Sequence, residues 1–286
     1  MCVAAAYYAG AVVGLMLKLP EATPSVMWPP NSILTSVLLL TRPAWWPIVL
    51  LSALPPHVAL ESGAGWPTAL VLALFATNCG EALMAAGGLR WLSDEPTRFD
   101  SIRRVGVFVG VVVIAAPVLS SVLDAWAVSS IGTESFLSVW RSRLLSNSLT
   151  ALTVVPAFVM VATSGLAWMR EATRAQHLEA ALLAAFMLVM GTILVRSGTS
   201  SDPGITVLAE TAGGSWFLPL LVWAALRFGP GGTSVALLAA TLLLVGAAVR
   251  TDGPFRGLPP SETTRALQLF LIPASLPLLL LHLDRA

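Results

Sequence analysis

Asn78 and Glu81 stand three residues apart in "ATNCGEALMAAGGLRWL", a spacing that puts both side chains on one face of a helix. The stretch around them is apolar enough to sit in a bilayer, where an acid costs about 2.5 to 3.5 kcal/mol on insertion scales. An acid placed there has to face a partner or a wet cavity. The chemistry open to it is recognition of a polar signal or, in a transporter, coupling to a solute. Glu81 is the first candidate for function, and a structural ion pair with Arg143 or Arg227 is the alternative.

Asn31 poses the same problem in "SVMWPPNSILTSVLLL". Pro29 and Pro30 lack amide donors and suit the first turn of a helix, where those amides would be unpaired anyway. Trp28 before them fits the level where aromatic belts meet lipid headgroups. An interfacial helix start explains Trp28, Pro29 and Pro30 without any function, but not Asn31, whose amide needs a protein or water partner. Asn147, a turn inside its segment behind Arg141 and Arg143, is expected to face the bundle and hydrogen-bond another helix. Asp124 reads as an exposed acid near a helix end, and Arg227 closes a span before "GPGG", which reads as an interhelical turn.

These residues need membrane helices to position them. The chain is 56% hydrophobic and 11% charged with a mean hydropathy of +0.82, far from the roughly 25% charged residues of ordinary soluble domains. The expected fold is all-α, a polytopic integral membrane helical bundle whose main partner is the lipid bilayer. Apolar segments near 2–19, 26–40, 45–60, 66–91, 105–128, 144–163, 180–195, 205–226, 233–249 and 266–283 give ten spans, or eight if the short ones pair. No basic leader or small-residue cleavage site marks the first of them as a signal peptide.

Arg90, Arg98, Arg103 and Arg104 in "RWLSDEPTRFDSIRR" make that connection cytoplasmic by the positive-inside rule, and ten spans then place both termini inside. Arg250, Arg256 and Arg265 fall on the outer side and weaken the bias. The polar stretch "MREATRAQHLEA" divides the single membrane domain, 1–286, into halves 1–165 and 178–286 joined by a cytoplasmic loop. A faint echo between "WPPNSILTSVLLLTRPAWWP" and "WFLPLLVWAALRFGPGG" is too short to establish a duplication.

Several functions lose support. A net charge of +1 with no basic stripe speaks against nucleic acid. His57, His177 and His282 lie far apart, and Cys2 and Cys79 read as packing residues, so no metal, no cofactor and no disulfide is expected. No nucleophile and base pair suggests an enzyme. Gly10 with Gly14 and Gly106 with Gly110 have the close-approach spacing, which favours packing within one bundle and leaves a homodimer open.

In order and spacing these motifs resemble the first class of MASE domains, the membrane-associated sensor modules of bacterial signalling proteins. "AAYYAGAVVGLML" looks like the first helix of that family, and "WPPNSI" followed by "LLLTRPAWWPIVLLSAL" like its Trp-Pro-Pro lead-in and hairpin. "TNCGEALMAAGGLRWL" is similar to its Gly-Asn-x-x-Glu-Ala helix, which aligns Asn78 and Glu81. "LPLLVWAALRFGPGGTSVALL", "GPFRGL" and "LQLFL" look like its last third and include Arg227. Two positions depart: Thr77 stands where the family has glycine, and Asn147 where it has an acid.

The resemblance implies an input domain in the bacterial inner membrane with a cytoplasmic C-terminus. It would detect a signal in a cavity lined by Asn31, Asn78 and Glu81. The last helix would pass the result to a histidine kinase or cyclic-di-GMP enzyme, in cis or as a partner signalling protein. No such output domain follows "LLLLHLDRA" in this chain. A small-solute transporter or permease is the competing function.

Overall fold

A computed structural model of the chain describes residues 2–19, 25–131, 134–164, 171–197, 216–251 and 259–281. The first part of the expected span 205–226, "GPFRGL", Arg256 and His282 lie outside the described residues. Among the described residues there are helices and no strands. They are α1 (Cys2–Met16), α2 (Pro29–Leu40), α3 (Trp46–Glu61), α4 (Thr68–Leu92), α5 (Ile102–Ile131), α6 (Phe136–Ser164), α7 (Arg174–Ser197), α8 (Phe217–Thr251) and α9 (Pro260–Leu280). Six of them, α4 to α9, are long and apolar enough to cross a membrane, so the molecule is a polytopic helical bundle.

Two breaks shape the bundle. In α8 Gly229 has φ 62° and ψ −163°, a conformation glycine alone adopts readily, and Pro230 follows with no amide donor. The expected turn at "GPGG" is thus a one-residue break within α8, between 217–228 and 230–251, and not a loop. In α5 the stretch Val109–Ala115 is π-helical, a local widening that often accompanies functional sites.

A third irregularity lies before α2. Ser25, Val26 and Met27 are buried in non-helical backbone with a bend at Val26, and Trp28 is half-buried, so residues 25–28 ahead of α2 dip into the bundle as a strap. Trp28 donates its backbone amide to Thr150 Oγ1 at 2.9 Å, and Thr150 is 14 residues into α6, about 21 Å along it. That depth replaces the expected headgroup position of Trp28. The prolines now have a physical reason. A helix start exposes its first amides; here Thr150 takes that of Trp28, and Pro29 and Pro30 have none. The other end of α2 is closed by Arg90 Nη2, which donates to the carbonyls of Leu39 and Thr41 at 2.8 Å each. A twelve-residue helix, too short to span, is therefore satisfied at both ends inside protein.

Helix α6 packs against α2, α5, α8 and α9, and so stands at the centre. From the first turn of α5, Arg104 clasps the α4–α5 connection through Asp94 at 3.0 Å and Asp100 at 2.5 Å. The Arg104 hydrogen bonds hold both carboxyls below the usual carboxylate range. What the clasp contributes is present above that range and is lost as pH falls through the lowered values.

The glycine pairs separate cleanly. A side chain at Gly14 would come within 2.9 Å of the Trp28 ring and 3.3 Å of the Met27 carbonyl, whereas Gly106 and Gly110 have nothing within 4 Å. Gly14→Leu should therefore push the strap outward and destabilise the chain by about 1 to 3 kcal/mol. Gly106→Leu should leave the melting temperature in detergent micelles unchanged; equal effects at the two glycines would refute the strap's tight seat.

Candidate functional site

The polar residues of α4, α5 and α6 repeat at intervals of four, so each helix carries them as a column on one face. On α4 the column is Thr77 and Glu81, on α5 Ser120 and Asp124, on α6 Arg143 and Asn147. The helices run alternately up and down, and the columns meet rung by rung. In one rung Thr77 donates to Asp124 Oδ1, and Arg143 Nη1 donates to Asp124 Oδ2 at 3.2 Å. In the next, Glu81 Oε2 accepts from Ser120 Oγ and from Asn147 Nδ2, the latter at 2.7 Å.

The two acids differ in their partners. Asp124 is 1% exposed and ion-paired to Arg143, so it is not the exposed helix-end acid expected from its position. Segment ends misled because α5 runs on to Ile131, which carries Asp124 almost two turns inside. Glu81 is buried and held by neutral donors, Ser120 and Asn147, and neither Arg143 nor Arg227 is its ion-pair partner. Asn31 lies beside its carboxylate, yet neither amide atom of Asn31 reaches a partner at hydrogen-bond geometry.

Asn78 shares α4 with Glu81 but turns to α1. Its Nδ2 donates to Tyr7 Oη at 3.5 Å, and Tyr7 Oη lies 2.9 Å from His57 Nδ1. His57 Nε2 lies 3.0 Å from the carbonyl of Val71, an acceptor only. Nε2 must therefore carry the proton, Nδ1 accepts, and the Tyr7 hydroxyl donates to it. The chain of bonds runs Asn78 to Tyr7 to His57 to Val71 and ties α1, α3 and α4 together.

A cavity of ≈ 110 Å³ lies between these two networks, lined by Trp28, His57, Asn78, Arg143, Ser146 and Asn147, and also by Lys18, Glu61 and Trp66. Such a volume holds several waters or a small polar molecule. Arg143 and Ser146 line it, and their buried Nε and Oγ atoms have no hydrogen-bond partner. Asn147 joins cavity to acid, since its side chain lines the one and donates to the other. Glu81 and Asn31 do not line the cavity; they stand behind Asn147.

Of the residues picked out from sequence, Trp28, Pro29, Pro30, Asn31, Asn78, Glu81 and Asn147 converge on this part of the bundle. Arg227 does not. It donates to Glu179 through Nε and Nη2 at 2.6 Å each and joins α8 to α7. Sequence reasoning missed Tyr7, His57, Thr77 and Ser120 as parts of the networks, and it set Arg143 against Glu81, not Asp124. The shared spacing of four in the three columns was the signal that could have found Thr77 and Ser120.

Among the described residues no group of three or more His, Cys, Asp and Glu could hold a metal ion. One family model, MASE1, matches residues 1–284. No curated protein and no solved structure matches the chain.

The rungs differ in what a substitution should do. Arg143→Met strands the buried Asp124 charge and should cost about 3 to 5 kcal/mol, while the double variant with Asp124→Leu should regain much of that loss. Thermal unfolding in micelles reads both, and additive losses would mean that the two residues are not coupled.

Proposed function

This chain belongs to the MASE1 family of membrane-associated sensor domains, and on that premise we propose that the Glu81 rung is the element its signal acts on. The family's role is sensory input to signalling proteins, not catalysis. The finer reading is that a small polar signal enters the cavity beside Asn78 and Asn147, changes how Asn147 and Asn31 share the Glu81 carboxylate, and thereby shifts α6. The movement then passes to α9, which packs on α6, and from α9 to a cytoplasmic histidine kinase or cyclic-di-GMP enzyme. The membrane would be the bacterial inner membrane, with the C-terminus in the cytoplasm.

The observation that carries this reading is a buried acid without a cation that two amides approach, Asn147 in a full hydrogen bond and Asn31 beside it outside that geometry. A static packing element has no use for an unsatisfied Asn31, because burial of an amide without a partner is costly. A two-state element does, since Asn31 can take the carboxylate when Asn147 leaves it. A ligand can bias such an exchange only by binding one arrangement more tightly than the other. The cavity wall formed by Asn147 and Ser146 gives it the place to do so.

Transport remains the second reading. Its specific support is α2, a half-length helix whose N-terminus points into the bundle beside an acid, as in discontinuous transporter helices.

The test is residues 1–286 joined in frame to a histidine-kinase catalytic region, with autophosphorylation measured in membranes. Loss of one hydrogen bond worth about 1 kcal/mol should shift a two-state output roughly fivefold, so Glu81→Gln should change the basal level by that factor with normal insertion. An unchanged level would remove Glu81 from signalling. Solute uptake by liposomes holding the chain alone would replace the sensor reading with transport.

A further inference from the structure

A second cleft lies away from the Glu81 rung. The N-terminal ends of α6 and α9 lie side by side and enclose ≈ 340 Å³ between them. Since α6 runs parallel to α4, this cleft opens on the end of the bundle opposite the α4–α5 connection. Its chemistry is not that of a lipid-facing seam. Arg141 and Arg265 both line it, are exposed, and make no ion pair among the described residues. Two helix N-termini add their partial positive charge to the same space.

The floor supplies the second observation. Thr264 Oγ1 and Gln268 Oε1 belong to side chains 4% and 0% exposed, both line the cleft, and neither atom has a hydrogen-bond partner. The orientation of Gln268 is fixed from behind, because its Nε2 donates to the Val26 carbonyl in the strap at 3.0 Å. Oε1 is left without a partner in the buried floor of the cleft, and as an acceptor it needs a donor from whatever binds. Glu262 on the rim is a second acceptor.

We propose that this cleft binds a small carboxylate that also carries a hydrogen-bond donor, an amino acid or a hydroxy acid. The carboxylate goes to Arg141 and Arg265, whose guanidinium forks match it. The amino or hydroxyl group goes to Gln268 Oε1, with Thr264 Oγ1 between them able to donate or accept. A plain anion satisfies the arginines and leaves Gln268 Oε1 empty; a plain cation faces two arginines. The bound acid touches α9 directly and the strap through Gln268, so it binds the helix nearest the C-terminus without passing through Glu81.

The experiment uses the full chain in phospholipid-free maltoside micelles. Thermal unfolding is followed with each proteinogenic amino acid, with lactate and malate, and with acetate and ethylammonium as the two halves of the proposed ligand. At about a hundredfold excess over Kd the right acid should raise Tm by about 5 °C or more, and the halves should not. Arg265→Gln, a surface change, and Thr264→Val, an isosteric one, should each weaken binding at least about tenfold, the worth of one charge-assisted or buried hydrogen bond. No shift with any acid, an equal shift with acetate, or undiminished binding by Arg265→Gln overturns the proposal. A shift given by phosphatidylethanolamine and by no soluble acid would assign the cleft to a lipid headgroup and overturn it equally. Because binding is read on the chain itself, with no output region attached, the result stands apart from the fate of the Glu81 reading.

Discussion

Polar side chains inside an apolar bundle have to satisfy one another, and that requirement sets the register of α4, α5 and α6. A slide of one helix by a single turn would bring Thr77 to Ser120 or Asp124 to Asn147 and leave an acid without its partner. Two rungs locked in this way define one arrangement, where apolar packing alone would tolerate several. One turn beyond the Glu81 rung the columns continue as Ala85, Ala116 and Ala151, all buried in one apolar cluster. Small residues there let the three helices approach closely enough for short side chains such as Ser120 to reach across.

The strap depends on the same constraint. Non-helical backbone can lie among membrane helices only where protein satisfies it, and residues 25–28 are held by contacts to several helices. Ser25 Oγ donates to the carbonyl of Gly14 at 2.6 Å, Val26 accepts from Gln268, and Trp28 donates to Thr150. Each partner sits on a different helix, α9 and α6 among them, or at a glycine where the backbone can come close. The start of α2 is thus fixed within the bundle, and with it the position of Asn31 beside Glu81.

Much of this was legible in the sequence, and the parts that were not share a cause. Hydropathy located the helices, and the intramembrane acid and amides at 31, 78, 81 and 147 stood out because each conflicts with its apolar surroundings. Depth was not legible. Trp28 and two prolines carry the same signature at a headgroup boundary and at a helix start buried in protein, and only the partner Thr150, 122 positions away, distinguishes them. Asp124 misled for the same reason, since the length of α5 decides whether a residue near its end is wet. Arg227 stood out by type and place, yet its bond to Glu179 serves the α7–α8 contact. Spacing shows that a column exists; which columns face each other is a tertiary fact.

The strap also explains how two separate cavities bear on one set of helices. Ser25 and Trp28 line the smaller cavity, and Val26 between them is held by Gln268 of the larger one. A shift of α9 along its axis pulls on the Val26 carbonyl, and a shift of the strap moves Trp28 against Thr150 on α6. Both movements act on buried hydrogen bonds, in which each broken bond leaves a desolvated group. Displacement at one end must therefore be matched by displacement at the other or by loss of the strap's seat. A linkage of that kind couples binding energy to helix position through the few bonds that fix residues 25–28.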